Sequence, residues 1–227
     1  MTASFFFTAY ILPIFVCMDR FKDWLEQRLK QPLPGFDAQK KMMNLNRPKV
    51  TVVPENARES GVLILLYPDR GEIHTVLIER TKDGGVHSGQ IALPGGRKEL
   101  SDIDIIATAL REANEEVNLD PERVTVLGNL TDLYIPVSNF KVQPVIAYSK
   151  TRPELTPSDS EVAKIIYISL TDLFSSKEEV DVTASGTVSF KIHTMAYMLT
   201  PPAVLWGATA MILSELESLW EEYKELK

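Results

Sequence analysis

Between Leu93 and Leu119 the chain reads LPGGRKELSDIDIIATALREANEEVNL, and Glu112, Glu115 and Glu116 within it fall three and four residues apart. An α-helix turns about 100° per residue, so these carboxylates share an arc of roughly 100° on one face. Like charges at that spacing repel by about 0.2–0.5 kcal/mol per pair. A hard divalent cation with oxygen ligands is the natural group to offset the repulsion. Arg111 adjoins the three and has an i,i+4 ion pair with Glu115 within reach. Upstream, Gly95 and Gly96 follow Pro94 in a turn-like run. Glycine permits φ > 0 and close backbone approach, so a carbonyl of this pair can reach the same cation.

A helix must carry these groups. Ser101 can cap its start, with Asp104 three residues on in a capping-box arrangement. Ile103, Ile106, Leu110, Ala113 and Val117 form the expected buried stripe, and Asn118 stands where a left-handed helix end is expected. Around this helix the sequence is rich in strand-like runs: 61–67, 74–80, 123–130, 141–148 and 162–169. Asp69-Arg70-Gly71 and Ser185-Gly186 read as hairpin turns. A last helix is expected from Ala203 to Glu225, with Trp206 as core or pocket wall. Many strands and a few helices in mixed order predict an α/β fold.

The 227 residues are 44% hydrophobic and 24% charged, and carry a net charge of −7. That is the composition of a globular protein with a sizeable core. The acidic balance argues against a nucleic-acid-coating surface. It also means that positive charge for an anionic small substrate must be supplied locally. Cys17 is the one cysteine, so neither an intramolecular disulfide nor a cysteine zinc cluster is available, and a cytoplasmic location is expected.

Three segments are expected. Residues 1–17 contain an apolar run that falls short of the about 20 residues a bilayer span needs. The run has no basic residue before it. It reads as an over-extended translation start, with a membrane-directing leader as the alternative, and no stable membrane insertion is expected. Residues 18–50 read as an N-terminal helix with Phe21, Trp24, Leu25 and Leu29 on one face, followed by a polar linker from about residue 36. Residues 51–227 form the main domain.

The Leu93–Leu119 stretch resembles the Nudix hydrolase motif. Gly96 opens it, Arg111-Glu112-Ala113-Asn114-Glu115-Glu116 matches its core and Leu119 closes it. Asp102 stands at the upstream glutamate position, with one extra residue before Arg111, and Asn118 replaces the final glycine. A second similarity is to the Nudix enzymes that cleave coenzyme A. Arg80, Gly89 and Pro94-Gly95-Gly96 match the signature of that group at its spacing, whereas Gly85 stands where its second arginine belongs.

The resemblance implies a Nudix-type α/β/α sandwich around a mixed β-sheet. It implies Mg²⁺ or Mn²⁺ held by Glu112, Glu115 and Glu116, with the Gly96 carbonyl, Asp102 and Glu161 as further ligands, and with Arg111 orienting a carboxylate. Substrate contacts are expected from Arg80, Gly95, Gly96 and His87. The activity implied is hydrolysis of the diphosphate of coenzyme A or its thioesters. The alternatives are another nucleoside diphosphate derivative, such as ADP-ribose or a dinucleoside polyphosphate, and a non-catalytic nucleotide-binding module. The expected partner is therefore a small diphosphate and not a nucleic acid. Oligomeric state is left open, a homodimer included.

Overall fold

A computed structural model of the chain describes residues 20–44, 52–81, 89–184, 190–200 and 203–226. Residues 1–17, His87 and the Ser185-Gly186 turn lie outside the described residues.

The first strand, β1 (Arg58–Asp69), turns through Arg70 and Gly71 into β2 (Glu72–Arg80). Both turn residues have positive φ, 49° and 89°, the geometry of the two-residue hairpin favoured by strand twist. Strands β3 (Ile91–Ala92) and β4 (Gly95–Arg97) precede helix α3 (Ile105–Val117). Then come β5 (Val124–Asn129), β6 (Leu133–Ile135), β7 (Phe140–Ser149) and β8 (Val162–Ser169). The main sheet runs β3-β2-β1-β7-β5, with β8 on β2, β4 on β1 and β6 on β7. β1 and β7 are parallel and the other pairs antiparallel. The sheet is therefore mixed, as expected.

β1 reads as a continuous apolar run because both of its faces are covered. On one side Leu63, Leu65 and Tyr67 pack with Ala109, Ala113 and Val117 of α3. Gly61 lets the helix come close, since a Cβ there would sit 2.7 Å from the carbonyl oxygen of Ile105. On the other side Ile64 and Leu66 join Phe21 and Leu25 of the helix at 20–28 (α1), with Leu213 and Leu216 of α5 (Gly207–Glu225). A short helix α4 (Leu170–Ser175) leads to a second sheet, β9 (Lys177–Ala184), β10 (Phe190–Met198) and β11 (Val204–Leu205), all antiparallel. The layers are helix, sheet and helix.

Four local expectations are corrected. The polar stretch after Pro34 is not a plain linker. Gly35–Gln39 form a helix (α2), Lys40–Met42 a 3₁₀ turn, and Ala38, Gln39 and Met42 are buried. Pro94-Gly95-Gly96 is not a simple turn, because Gly95–Arg97 pair with Ser60–Val62 of β1. Helix α3 starts later than expected, its cap being Asp104, whose carboxylate accepts from the Ala107 amide at 2.8 Å. Ile103 then precedes the helix and is exposed rather than buried. The last helix begins at Gly207, with Trp206 as its cap and Val204–Leu205 in a strand. Asn118 does end α3 in the left-handed conformation, φ 54° and ψ 36°.

Candidate active site

Helix α3 presents its carboxylates to the place where β4, the end of β2 and the start of β8 meet. The segment before β8 is fastened there by backbone bonds. The Ser158 amide donates to the Glu116 carbonyl at 2.8 Å, and Thr156 to Val117 at 3.0 Å. The Thr81 amide donates to the Glu161 carbonyl at 3.0 Å. These bonds join residues far apart in sequence around the C-terminal half of the helix.

Glu116 is 1% exposed. Its carboxylate accepts from the Gly95 amide at 2.8 Å and from Arg80 at 3.1 Å. Burial dominates over these bonds, and Glu112 and Glu161 add repulsion, so its pKa is pushed up to about 7. Glu112 is partly buried and lies directly against Gly96, where any side chain would collide with its carboxylate. Its pKa is also raised, by burial first; Arg111 opposes the shift, and Glu115 and Glu161 add to it. Glu115 is the outermost of the three, with half of its side chain exposed.

Arg111 organises the exposed half of the site. One guanidinium nitrogen lies 3.0 Å from Glu112 and 2.9 Å from Glu115. The other nitrogens donate to both oxygens of Asp102 at 3.0 Å and to the Arg97 carbonyl at 3.0 Å. Asp102 is nearly buried and also accepts from the Glu99 amide and the Thr108 hydroxyl, each at 2.9 Å. These hydrogen bonds, the Arg111 guanidinium foremost, hold its carboxyl well below the usual carboxylate range. Charge-assisted bonds of this kind are short and geometrically specific.

The expected site residues thus occupy distinct places. Glu112, Glu115, Glu116 and Arg111 sit together, and Glu161 lies within electrostatic range of Glu112 and Glu116. Arg80 is tied to Glu116, with about a third of its side chain still exposed. Asp102 has both oxygens engaged by Arg111. The Gly96 carbonyl accepts from the Ser60 hydroxyl at 2.7 Å, and Gly95 contributes its amide. Thr108 and Ser60 had no signal in the sequence, because the hydrogen bonds to Asp102 and to the Gly96 carbonyl through which they act form only in the folded chain.

Among the described residues no three carboxylate, histidine or cysteine side chains converge on one coordination point. Glu115 is drawn to Arg111 and Glu116 to Gly95 and Arg80. The donor set nevertheless fits a divalent cation. It is all oxygen, and the neighbouring carboxylates add to the burial that raises the pKa of Glu112 and Glu116, an excess of negative charge that a cation would relieve.

A family model of the Nudix domain matches residues 57–187. The chain belongs to the Nudix family of pyrophosphohydrolases, enzymes that generally depend on divalent cations. It is similar to the uncharacterized Nudix hydrolase NudL of Photorhabdus laumondii subsp. laumondii, 36% identical over 164 residues that cover 71% of this chain and 84% of that protein. NudL of Citrobacter koseri is 33% identical over 174 residues, covering 76% and 88%. Among solved structures the chain is similar to RenU, a Nudix hydrolase from M. smegmatis. That likeness has 16% identity and a TM-score of 0.48, covering 82% of this chain and 95% of that one. Among the described residues no helix is long and apolar enough to cross a membrane.

Proposed function

We propose that the chain hydrolyses the diphosphate linkage of coenzyme A or its thioesters, giving 3′,5′-ADP and (acyl-)4′-phosphopantetheine. The observation that supports this reading is the meeting of two parts of the coenzyme A signature on one catalytic group. Arg80 and Gly95, from the strand end and the Pro-Gly-Gly run, both donate to Glu116. The chain residues from β2 to α3 therefore act as one unit.

Mg²⁺ or Mn²⁺, when bound by Glu112, Glu115 and Glu116, supplies Lewis acidity toward the diphosphate oxygens and toward water. The protein's own residues set the geometry. Asp102, fixed by Thr108 and the Glu99 amide, orients Arg111, and Arg111 orients Glu112 and Glu115. Arg80 and the Gly95 amide hold Glu116 in one rotamer. In the reaction a water oxygen bonds to one phosphorus, and the bridging oxygen leaves with its electron pair on the other phosphate. The water proton passes to a carboxylate. Glu112 lines the open groove and is the best placed acceptor, with Glu161 next to it in the electrostatic cluster. Asp102 is a positioning residue in this scheme rather than a metal ligand.

A second reading keeps the reaction and changes the substrate to ADP-ribose or a dinucleoside polyphosphate. The glycine at position 85, in place of the signature's second arginine, favours it. The test is a substrate panel with purified protein and Mg²⁺ or Mn²⁺. Products are separated from coenzyme A, ADP-ribose, NADH and a dinucleoside polyphosphate. A clear preference for coenzyme A over the others is expected, and a preference for ADP-ribose would replace the first reading by the second.

A further inference from the structure

A groove of about 900 Å³ opens beside the carboxylates and runs from Glu112 and Asp102 past Arg97 and Lys98 to Arg58. Its volume lies at the upper end of the range for small-molecule sites, about 300–1,000 Å³. In a chain of net charge −7, three cationic side chains beside the acidic centre need a reason. Four carboxylates line the groove as well, so the cationic groups matter by their position rather than by net charge. Asp102 and Glu112 are bound by Arg111, and Glu59 faces Lys98 at 3.5 Å. Only Glu99 is left against Arg58 and Arg97.

Arg97 is the residue best suited to meet a ligand. Among the described residues its guanidinium has no ion pair and no hydrogen-bond partner, and it is exposed. Its backbone, by contrast, is fixed. Arg97 pairs with Ser60 in the β1–β4 ladder, and its carbonyl accepts from Arg111. The Lys98 amide donates to the Glu59 carbonyl at 3.0 Å. The far wall is fixed as well. The Arg58 guanidinium lies 4.0 Å from the centre of the Phe140 ring and donates to the Ser138 carbonyl. Both walls thus present cationic groups from anchored backbone along the groove that Glu112 lines. Arginine matches phosphate with paired N–H donors.

We infer that the groove between Arg58 and Arg97–Lys98 is a phosphate-recognising subsite for a group outside the diphosphate that is cleaved. Resting on the coenzyme A reading, that group is the 3′-phosphate of the nucleotide half. Arg97 and Lys98 contact it, and Arg58 closes the opposite wall. Glu116 and its partner Arg80 take no part, since Arg80 does not line the groove.

The test separates this subsite from the substrate reading, because part of it needs no turnover. Binding of 3′,5′-ADP and of 5′-AMP is measured by calorimetry in EDTA, for the full chain and for the Arg97→Ala, Lys98→Ala double variant. Both side chains reach solvent, so the fold should tolerate their loss. The unaltered chain should bind 3′,5′-ADP about tenfold or more tightly than 5′-AMP, as charge-assisted hydrogen bonds to one phosphate imply. The double variant should bring the two affinities together. In turnover, its ratio of kcat/KM for coenzyme A over dephospho-coenzyme A should fall about tenfold, through KM rather than kcat. Equal affinities in the unaltered chain, or equal losses on both nucleotides, would overturn the subsite. If coenzyme A is not hydrolysed but the binding contrast appears and vanishes in the variant, the subsite stands and the substrate reading falls.

Discussion

Two buried glutamates show how one residue type serves opposite ends. Glu215 in α5 is fully buried and accepts four hydrogen bonds. They come from the Gly35 amide at 2.9 Å, Gln39 at 3.0 Å, and Thr131 through its amide at 3.2 Å and its hydroxyl at 2.7 Å. All four donors are neutral, and together they pin α2 and the start of β6 to the last helix. Glu116 is as deeply buried but accepts only two bonds, and two other carboxylates repel it. A buried carboxylate whose lone pairs are filled avoids most of the penalty of burial, whereas one left short of partners holds capacity for a ligand. The contrast marks which part of the molecule is built for rigidity and which for chemistry.

The largest expected effect breaks the active member of the pair. Glu116→Gln keeps the volume and the bond from the Gly95 amide but removes the negative charge. We expect kcat to fall by about a thousandfold, about 4 kcal/mol of barrier, with an unchanged or higher Tm because the repulsion with Glu112 and Glu161 is gone. Steady-state kinetics at saturating metal and a thermal melt check both halves. Turnover near that of the unaltered chain would remove Glu116 from the mechanism.

The structural member should behave in reverse. Glu215→Ala leaves the Gly35 amide and both Thr131 donors without this acceptor, while Gln39 keeps only the Thr131 carbonyl, and the cost should be about 2–4 kcal/mol of stability. The protein that remains folded should keep its kcat, since Glu215 lies on the opposite side of the sheet from α3. Urea denaturation together with kinetics at low temperature reads the two quantities. A loss of kcat as large as the loss of stability would mean that the two nodes are coupled through the sheet.

Protons sharpen the same comparison. Glu116 titrates near 7 in the fold against 4.5 for an ordinary glutamate. A raised folded pKa favours the folded state below the unfolded pKa, and that contribution is lost as pH rises through the folded one. In chelator, this group should therefore lower Tm as pH climbs from about 4.5 to 7. Metal binding needs the carboxylate ionised, so Mg²⁺ or Mn²⁺ affinity should weaken up to about tenfold per unit as pH falls below about 7. Calorimetric titration at several pH values measures the slope, and Glu116→Gln should flatten it.

Arg80 links the catalytic glutamate to the substrate question. Because it pairs with Glu116, Arg80→Ala should weaken catalysis by about 1.5–3 kcal/mol, the range for hydrogen bonds to charged groups. The loss should be equal on coenzyme A and dephospho-coenzyme A. A loss confined to coenzyme A would place Arg80 at the 3′-phosphate and return Glu116 to a single donor during the reaction.

Legibility in the sequence followed the range of the forces involved. The three glutamates, Arg111 and the Asn118 helix end follow from local periodicity, and both faces of β1 were visible as an unbroken apolar run. The β4 strand was not, because Gly95-Gly96 has no strand propensity and pairs only because β1 runs beside it. The start of α3 was misplaced because Ser101, Asp102 and Asp104 are all good caps. Asp102 is withdrawn from that competition by Arg111 and Thr108, nine and six residues on, and Asp104 caps instead. Helix α2 is a few residues long and owes its place to Gln39 and the Gly35 amide meeting Glu215. Glu215 itself reads as an ordinary surface glutamate in ILSELESL. Only the packed structure brings its donors together from residues 35, 39 and 131.

The smallest expected effect tests the outermost support of the site. The Thr108 hydroxyl, fully buried on α3, donates to Asp102 at 2.9 Å. Thr108→Val preserves shape and removes that bond together with the longer one to the Asp104 carbonyl at 3.3 Å. Asp102 would keep the Glu99 amide and both contacts from Arg111, so stability should drop by only about 1 kcal/mol. The catalytic consequence should be correspondingly modest, about two- to tenfold in kcat, because Arg111 is still held at both Asp102 oxygens but by a less constrained partner. Asp102→Asn provides the upper bound, since it removes the charge that fixes Arg111. If Thr108→Val cost as much as Asp102→Asn in kcat at equal metal saturation, the hydroxyl would be acting on more than the orientation of Asp102. If Thr108→Val left kcat untouched while Asp102→Asn lowered it, Arg111 and the Glu99 amide would suffice to hold Asp102, and the support of the site would end one residue nearer to the metal-binding face.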